Sequence, residues 1–275
     1  MFTLNCKGRL LVIAEPVVMG IINVTPDSFY SGSRKQLMND IIKLAEKMLY
    51  EGATILDIGG QSTRPGSKDL AVDEELKRVL PAIEEICKHF PESFISIDTY
   101  HATIAKQAVE AGASIVNDIS SGTLDERMIA TVASLNVPYI AMHMKGTPET
   151  MQEFATYEDV TLEVLDFFIQ KTEECRQAGI NDVIIDPGFG FAKNIGQNFT
   201  LLKKLQVFMM LQKPLLVGLS RKATVYKTLG TTAEEALSGT TVLNTIALQN
   251  GANILRVHDV KEAVEAIKLL GAYNK

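Results

Sequence analysis

The sequence has little of several features that mark common classes of protein. Its 275 residues include no tryptophan and only three cysteines, and the formal net charge is −6. An acidic chain lacks the positive surface that wraps nucleic acid or lies on an anionic membrane, so any anion must be bound locally. No apolar run reaches the roughly 18 residues of a membrane span, and the N-terminus has no secretory segment. We therefore expect neither nucleic-acid nor membrane partners.

The cysteines and histidines do not form a recognisable framework. Cys6, Cys87 and Cys175 are odd in number and widely spaced, so they are interpreted as reduced packing residues of a cytoplasmic protein. His89, His101 and His143 lack metal-ligand spacing and are interpreted as helix-surface or packing residues.

Nucleotide-binding motifs are missing as well. The sequence contains no P-loop, and the glycines at 188 and 190 are followed by Lys193 where a GxGxxG motif needs its third glycine. A nucleoside triphosphatase and a nicotinamide enzyme are both disfavoured.

What the chain does contain is a regular alternation of short apolar runs and amphipathic stretches. The runs, rich in Ile and Val, predict buried parallel strands, and the stretches between them have helical periodicity. Eight such units predict a (β/α)8 TIM barrel, with a doubly wound open sheet as the alternative. Residues 1–16 predict a β-hairpin at the bottom of the barrel, and residues 17–275 predict the barrel itself, in a single domain. The predicted strands are residues 17–24, 54–58, 94–97, 114–116, 138–142, 182–185, 214–218 and 254–257.

Two local signals concern the helices. Pro81 lies inside the second helical pattern and predicts a kink or a break there. Asp259 followed by Glu262 predicts a capping box that opens the last helix.

Carboxylates and an amide stand at the ends of predicted strands. Asp57, Asp98 and Asp186 each follow an apolar run, and buried carboxylates need donors or cations. Any one of them alone is equally well explained as a helix cap or a turn brace. Together with Asn117, however, Asp98 and Asp186 supply the acceptors and the amide that would hold a flat heterocycle with several N–H donors.

Basic side chains follow the second, seventh and eighth predicted strands. One such residue is usually a solvated surface charge, but a group of them on one rim of an acidic protein predicts a phosphorylated or carboxylated substrate. Ser220 is predicted to begin the helix after the seventh strand, where it can receive an anion, and a plain N-cap role is compatible with that. The basic positions are Arg64, Arg221, Lys222, Arg256 and His258.

Two long polar loops, residues 23–29 and 59–66, follow the first two strands. Their Gly and Pro content is typical of loops that close over a ligand. Asn23 and Asp27 offer hard oxygen ligands for magnesium beside a phosphate.

Five segments together closely resemble the dihydropteroate synthase family of the folate pathway. The resemblance implies a barrel homodimer that joins 7,8-dihydropterin-6-ylmethyl diphosphate to p-aminobenzoate and releases diphosphate with magnesium. It also implies competition by sulfonamides, which share the aniline ring with aminobenzoate. One departure is Gln61, where the family commonly has Glu. The matching segments are residues 19–29, 57–66, 186–191, 220–222 and 256–258.

The resemblance also implies a role for each site residue. Asp27 and Arg64 are assigned to loop closure, and Asn23 to magnesium. The pterin would contact Asp98, Asn117, Asp186, Lys222 and Met142; the diphosphate would contact Arg256 and His258; and the aminobenzoate would contact Phe29, Thr63, Pro65, Phe191, Lys222 and Ser220.

Two other functions remain open from the sequence. A pterin-binding methyltransferase that presents methyltetrahydrofolate to a corrinoid would share the Asp and Asn contacts, but it does not explain residues 63–66 or 220–222. A catalytically silent pterin-binding partner is disfavoured because the charged positions of the motifs are intact, apart from Gln61.

Overall fold

The structure is a computed structural model that describes residues 1–25, 34–61 and 70–275. Short apolar runs form the strands, because a parallel strand covered on both faces must be apolar along its length. The strands are β1 Phe2–Cys6, β2 Arg9–Ile13, β3 Val17–Asn23, β4 Ile55–Gly59, β5 Phe94–Asp98, β6 Ile115–Asp118, β7 Tyr139–Met142, β8 Val183–Asp186, β9 Leu216–Val217 and β10 Ile254–Val257.

Eight of these strands form one parallel sheet in the order β8-β7-β6-β5-β4-β3-β10-β9. A parallel bridge between Ile185 and Leu215 joins the two ends of this sheet. The predicted TIM barrel is therefore confirmed, and the open-sheet alternative is wrong. Closure also brings the carboxyl ends of all eight strands to one rim.

Amphipathic segments form helices that cover the outside of the barrel. No helix within the described ranges is long and apolar enough to cross a bilayer. The helices are α1 Arg34–Glu51, α2 Val72–His89, α3 Ala102–Ala111, α4 Met128–Leu135, α5 Val160–Ala178, α6 Ile195–Lys203, α7 Ala223–Leu229, α8 Leu237–Gln249 and α9 Val260–Tyr273, with 3-10 turns at Met151–Phe154 and Leu205–Leu211.

The predicted N-terminal hairpin is present and closes the end of the barrel opposite the site. Strands β1 and β2 pair antiparallel from Phe2 opposite Ile13 to Cys6 opposite Arg9. Alternate side chains turn inward and pack on the inner residues of the barrel. Arg9 fixes the hairpin tip by donating from Nη1 to the carbonyl of Pro91 at 2.8 Å. The inward residues are Leu4, Cys6, Leu11 and Ile13.

The structure bears on both local helix predictions. Helix α2 continues through Pro81, so the break is wrong as one of the two predicted outcomes. Its apolar face, including Val79 and Ile83, is fully buried, and this packing offsets the lost hydrogen bond. Asp259 does precede α9, but its side chain caps no helical N–H. The predicted capping box is therefore wrong, because the Asp259 carboxylate is bound by Arg221 instead.

Candidate active site

The candidate site lies on the rim formed by the carboxyl ends of the strands. Adjacent strands place Asp98 of β5 directly beside Asn117 of β6. In the same way, Met142 of β7 lies beside Asp186 of β8. The structure thus brings together the predicted carboxylates, amide and methionine.

Arg256 joins two of the carboxylates at the centre of the rim. Its Nε donates to Asp57 Oδ2 at 2.6 Å, and its Nη2 donates to Asp98 Oδ2 at 2.6 Å. Asn117 Nδ2 also donates to Asp57 Oδ2, at 3.1 Å. Because Arg256 contacts both carboxylates, it neutralises much of the charge that burial would otherwise make costly.

Asp57 had no assigned role from the sequence, although it is fully buried in this network. The available signal was its position at the end of β4, but sequence spacing does not reveal its pairing with an arginine 199 residues away. Asp57 is therefore part of the site as the support of Arg256 and Asn117.

Two carboxylate oxygens in this network lack a hydrogen-bond donor among the described residues. Asp57 Oδ1 and Asp98 Oδ1 are buried and accept no hydrogen bond from the described part of the chain. Burial raises the pKa of Asp98 to about 7, with Arg256 opposing the rise and Asp57 adding to it. Buried acceptors without donors are costly, so a ligand that brings N–H groups would satisfy them.

Asp186 and Lys222 form the other half of the rim. Asp186 Oδ1 accepts the backbone N–H of Gly188 at 2.8 Å, and burial raises its pKa while Lys222 lowers it. Lys222 Nζ donates to the carbonyl of Phe189 at 2.5 Å and lies 4.7 Å from the ring centroid of Phe191. Burial lowers the pKa of Lys222 to about 8. A cation and an aromatic face thus share one wall of the site.

Ser220 lies on the rim, but it does not begin a helix. Helix α7 begins at Ala223, because Arg221 has a φ of 53° and this left-handed residue interrupts helical geometry. The predicted helix start and N-cap role are therefore wrong. Ser220 Oγ instead lies 3.0 Å from His258 Nδ1, so these two predicted residues are neighbours.

Arg221 is occupied by the protein itself. Its Nε and Nη2 each donate to the Asp259 carboxylate at 2.8 Å, and its Nη1 donates to the carbonyl of Ala233 at 3.0 Å. This bidentate pair fixes the turn before α7. Of the basic positions expected to bind anions, Arg221 therefore has a structural role.

Two residues of the predicted polar loops, Asn23 and Gln61, lie within the described ranges, and five other predicted residues lie outside them. Asn23, the predicted magnesium ligand, ends β3 with a half-buried side chain. Residues 1–25, 34–61 and 70–275 contain no group of three or more His, Cys, Asp or Glu placed to hold a metal. The side chain of Gln61 is buried, and its Nε2 donates to Tyr100 Oη at 2.6 Å. The residues outside the described ranges are Asp27, Phe29, Thr63, Arg64 and Pro65.

Lys193 is a second residue that sequence reasoning missed. In the sequence it only replaces the third glycine of a GxGxxG motif, yet it is 3% exposed and contacts the loop after β8. The sequence alone does not show that this lysine is buried. Its burial becomes evident only when the loop after β8 is seen to fold over it.

Comparison with known proteins gives the family. The model of the protein family described as pterin binding enzyme matches residues 19–258 of this chain. The chain is 44% identical over 271 residues to the dihydropteroate synthase of Escherichia coli K12, which covers 98% of this chain and 95% of that protein. The chain belongs to the pterin binding enzyme family.

Solved structures narrow the similarity to one branch of that family. Xanthomonas albilineans dihydropteroate synthase with 4-aminobenzoic acid superposes with a TM-score of 0.93 at 38% identity, over 99% of this chain and 98% of that one. A Yersinia pestis dihydropteroate synthase with a sulfonamide drug complex gives a TM-score of 0.93 at 39% identity, over 99% of both chains. The predicted resemblance to dihydropteroate synthases is thus confirmed.

Proposed function

We propose that this chain is a dihydropteroate synthase. It joins 7,8-dihydropterin-6-ylmethyl diphosphate to p-aminobenzoate and yields 7,8-dihydropteroate and diphosphate, a step of folate biosynthesis. The observation that carries this proposal is the rim itself, where the buried carboxylates of Asp98 and Asp186 both lie within electrostatic reach of the Lys222 ammonium. The whole chain acts as one pterin-binding domain.

The pterin binds to the buried carboxylates. Its N–H donors bond the carboxylates of Asp98 and Asp186, and Asn117 holds its remaining polar edge, with Asp57 as the support of Asn117. Met142 is buried at the end of β7 and packs against the ring. A flat heterocycle with donors along one edge thus matches the acceptors on this part of the rim.

The diphosphate binds beside the pterin. His258 lies next to Ser220, and Arg256 retains Nη1 in addition to the two nitrogens that bond Asp57 and Asp98. Asn23 offers one oxygen ligand at this rim, and this fits magnesium because the ion keeps several waters and binds substrate phosphates directly. Bound there, magnesium would offset the charge of the departing diphosphate.

The aminobenzoate binds against the wall made by Phe191 and Lys222, with its carboxylate at Ser220. Phe29, Thr63 and Pro65 complete this pocket in the proposal. Asp27 and Arg64 close the two loops over the bound substrates.

The reaction is a dissociative substitution. The bond between the methylene carbon and the diphosphate oxygen breaks, and the electron pair leaves with the diphosphate. The resulting cation is delocalised into the pterin, where the Asp98 and Asp186 carboxylates stabilise it. The neutral amine of aminobenzoate then forms the carbon–nitrogen bond and releases a proton, so no strong base is required.

The experiment is a direct assay of the purified protein with pterin diphosphate, aminobenzoate and magnesium. Formation of dihydropteroate together with equimolar diphosphate supports the proposal. Asp186→Asn serves as the site variant and should lower turnover sharply while the protein stays folded. Absence of product, with methyl transfer from methyltetrahydrofolate to a corrinoid instead, would assign the chain to another branch of the family.

We also propose that the enzyme is a homodimer in the cytoplasm. Leu229 at the end of α7 and Val242 in α8 are 58% and 57% exposed on helices that contact each other, and they form a candidate apolar interface. The three cysteines are free thiols, which agrees with a reducing compartment. Light scattering should show that Val242→Glu lowers the molar mass by half, whereas Leu162→Glu on α5, at a similarly exposed position, leaves it unchanged.

A further inference from the structure

The loop between β8 and α6 is held by side chains rather than by regular structure. The carbonyls of residues 188–192 each accept a hydrogen bond from a side chain. Lys222 binds the carbonyl of Phe189, Gln152 that of Gly190, and Tyr157 that of Ala192, at 2.5, 3.3 and 2.9 Å. Lys193 supplies the two remaining bonds.

Lys193 fixes both ends of the segment that carries the wall of the site. Its Nζ donates to the carbonyls of Gly188 and Phe191, each at 3.0 Å. The same atom lies 3.0 Å from His143 Nδ1 and 3.3 Å from the His143 carbonyl. His143 follows β7, so Lys193 ties the loop of one strand to the end of its neighbour.

The atoms between these two fixed points are those that hold Lys222. The Phe189 carbonyl accepts from Lys222 Nζ, and the Phe191 ring lies under the same ammonium. Gly188 and Ala192, with φ values of 70° and 49°, bend the segment into this shape. Lys193 itself is buried, its hydrogen bonds go to the loop and to His143, and its charge also acts on Asp186 and Lys222.

We propose that Lys193 is a positioning residue of the site, which holds the 188–191 segment so that the Phe189 carbonyl and the Phe191 ring place Lys222 against the bound substrates. This inference rests on the proposed function for its link to catalysis. Its structural part, the coupling of Lys193 to Phe191 and Lys222, stands without substrate. A displacement of about 1 Å in a positioning group can cost about 100-fold in rate.

The kinetic test is a double-mutant cycle on the full-length enzyme. Lys193→Met should lower kcat/KM by about tenfold or more, and the same change should cost less than about twofold in a Lys222→Met background, because contacting residues are not additive. Lys171→Met is the matched control, since Lys171 is also buried but pairs with Glu174 on α5. An equal loss in both backgrounds, or a loss no larger than that of the control, would overturn the proposal.

A second measurement needs no substrate. With 4-fluorophenylalanine at position 191, the fluorine resonance should shift when Lys222 is replaced by methionine, and Lys193→Met should abolish that shift. A shift of the same size in both proteins would overturn the proposal even if the wild type turns over normally. If the wild type makes no product while the fluorine coupling is intact, the proposed function fails and the positioning role stands. Should Lys193→Met not fold, Lys193→Leu, which also removes every N–H donor, is assayed in both experiments with the same criteria.

Discussion

Replacing Lys222 by methionine should reduce pterin affinity and turnover while leaving the stability of the fold nearly unchanged. The pKa of Lys222 falls from 10.5 to about 8, mainly through burial. This fall corresponds to about 3 kcal/mol by which the charged lysine destabilises the folded state, an upper bound because the side chain keeps partial contact with solvent. Methionine has similar length and no charge, so the variant escapes that cost.

Methionine also loses the hydrogen bond to the Phe189 carbonyl. A bond from a charged donor is worth about 1.5–3 kcal/mol, so the two effects cancel to within about 1–2 kcal/mol. Losing a buried charged contact to a ligand costs about 2 kcal/mol or more, which is about 30-fold in affinity. We therefore expect near-normal stability with pterin affinity and turnover reduced at least about 30-fold.

The pH dependence gives the sharper measurement. Between pH 8 and 10.5 the unfolded state keeps a proton that the folded state has lost at Lys222, so this group makes the wild type more stable as pH rises through that window. Below pH 8 the destabilisation is fully present. Urea unfolding of both proteins at pH 8 and 9.5 should show the wild type gaining up to about 2 kcal/mol relative to Lys222→Met. The reasoning would be refuted if the free energy of unfolding of the wild type did not rise relative to that of the variant between pH 8 and 9.5. A variant several kcal/mol less stable than the wild type at pH 7 would refute it as well.

Three further variants test other parts of the site. Asp57→Asn leaves Arg256 with one carboxylate and should cost about 3 kcal/mol in urea unfolding; a change under about 1 kcal/mol would contradict the network. Gly188→Ala should abolish activity, because a Cβ there would lie 2.0 Å from a backbone carbonyl oxygen, whereas Gly271→Ala, with open space around it, should match wild-type kinetics. Pro65→Ser should raise the sulfonamide inhibition constant more than the aminobenzoate KM, since the drug's extra ring projects past the substrate; equal proportional changes would count against this pocket.

The alternation of strands and helices was readable in the sequence because it depends on local pattern. Apolar runs of three to eight residues predict buried strands, and all eight barrel strands fall within two residues of their predicted ends. The residues at their carboxyl ends then had to share a rim, because the parallel barrel has only one such edge. This reasoning found Asp98, Asn117 and Asp186.

Only the tertiary structure decided which of these polar groups bind one another. Arg256 reaches Asp57 across 199 positions, and Asp259 binds Arg221 rather than capping its own helix. Those choices depend on how closure of the barrel aligns the strand ends, and no local pattern encodes that alignment. The position of Lys193 is of the same kind, because a buried lysine is tolerated only where a folded loop turns several carbonyls toward it.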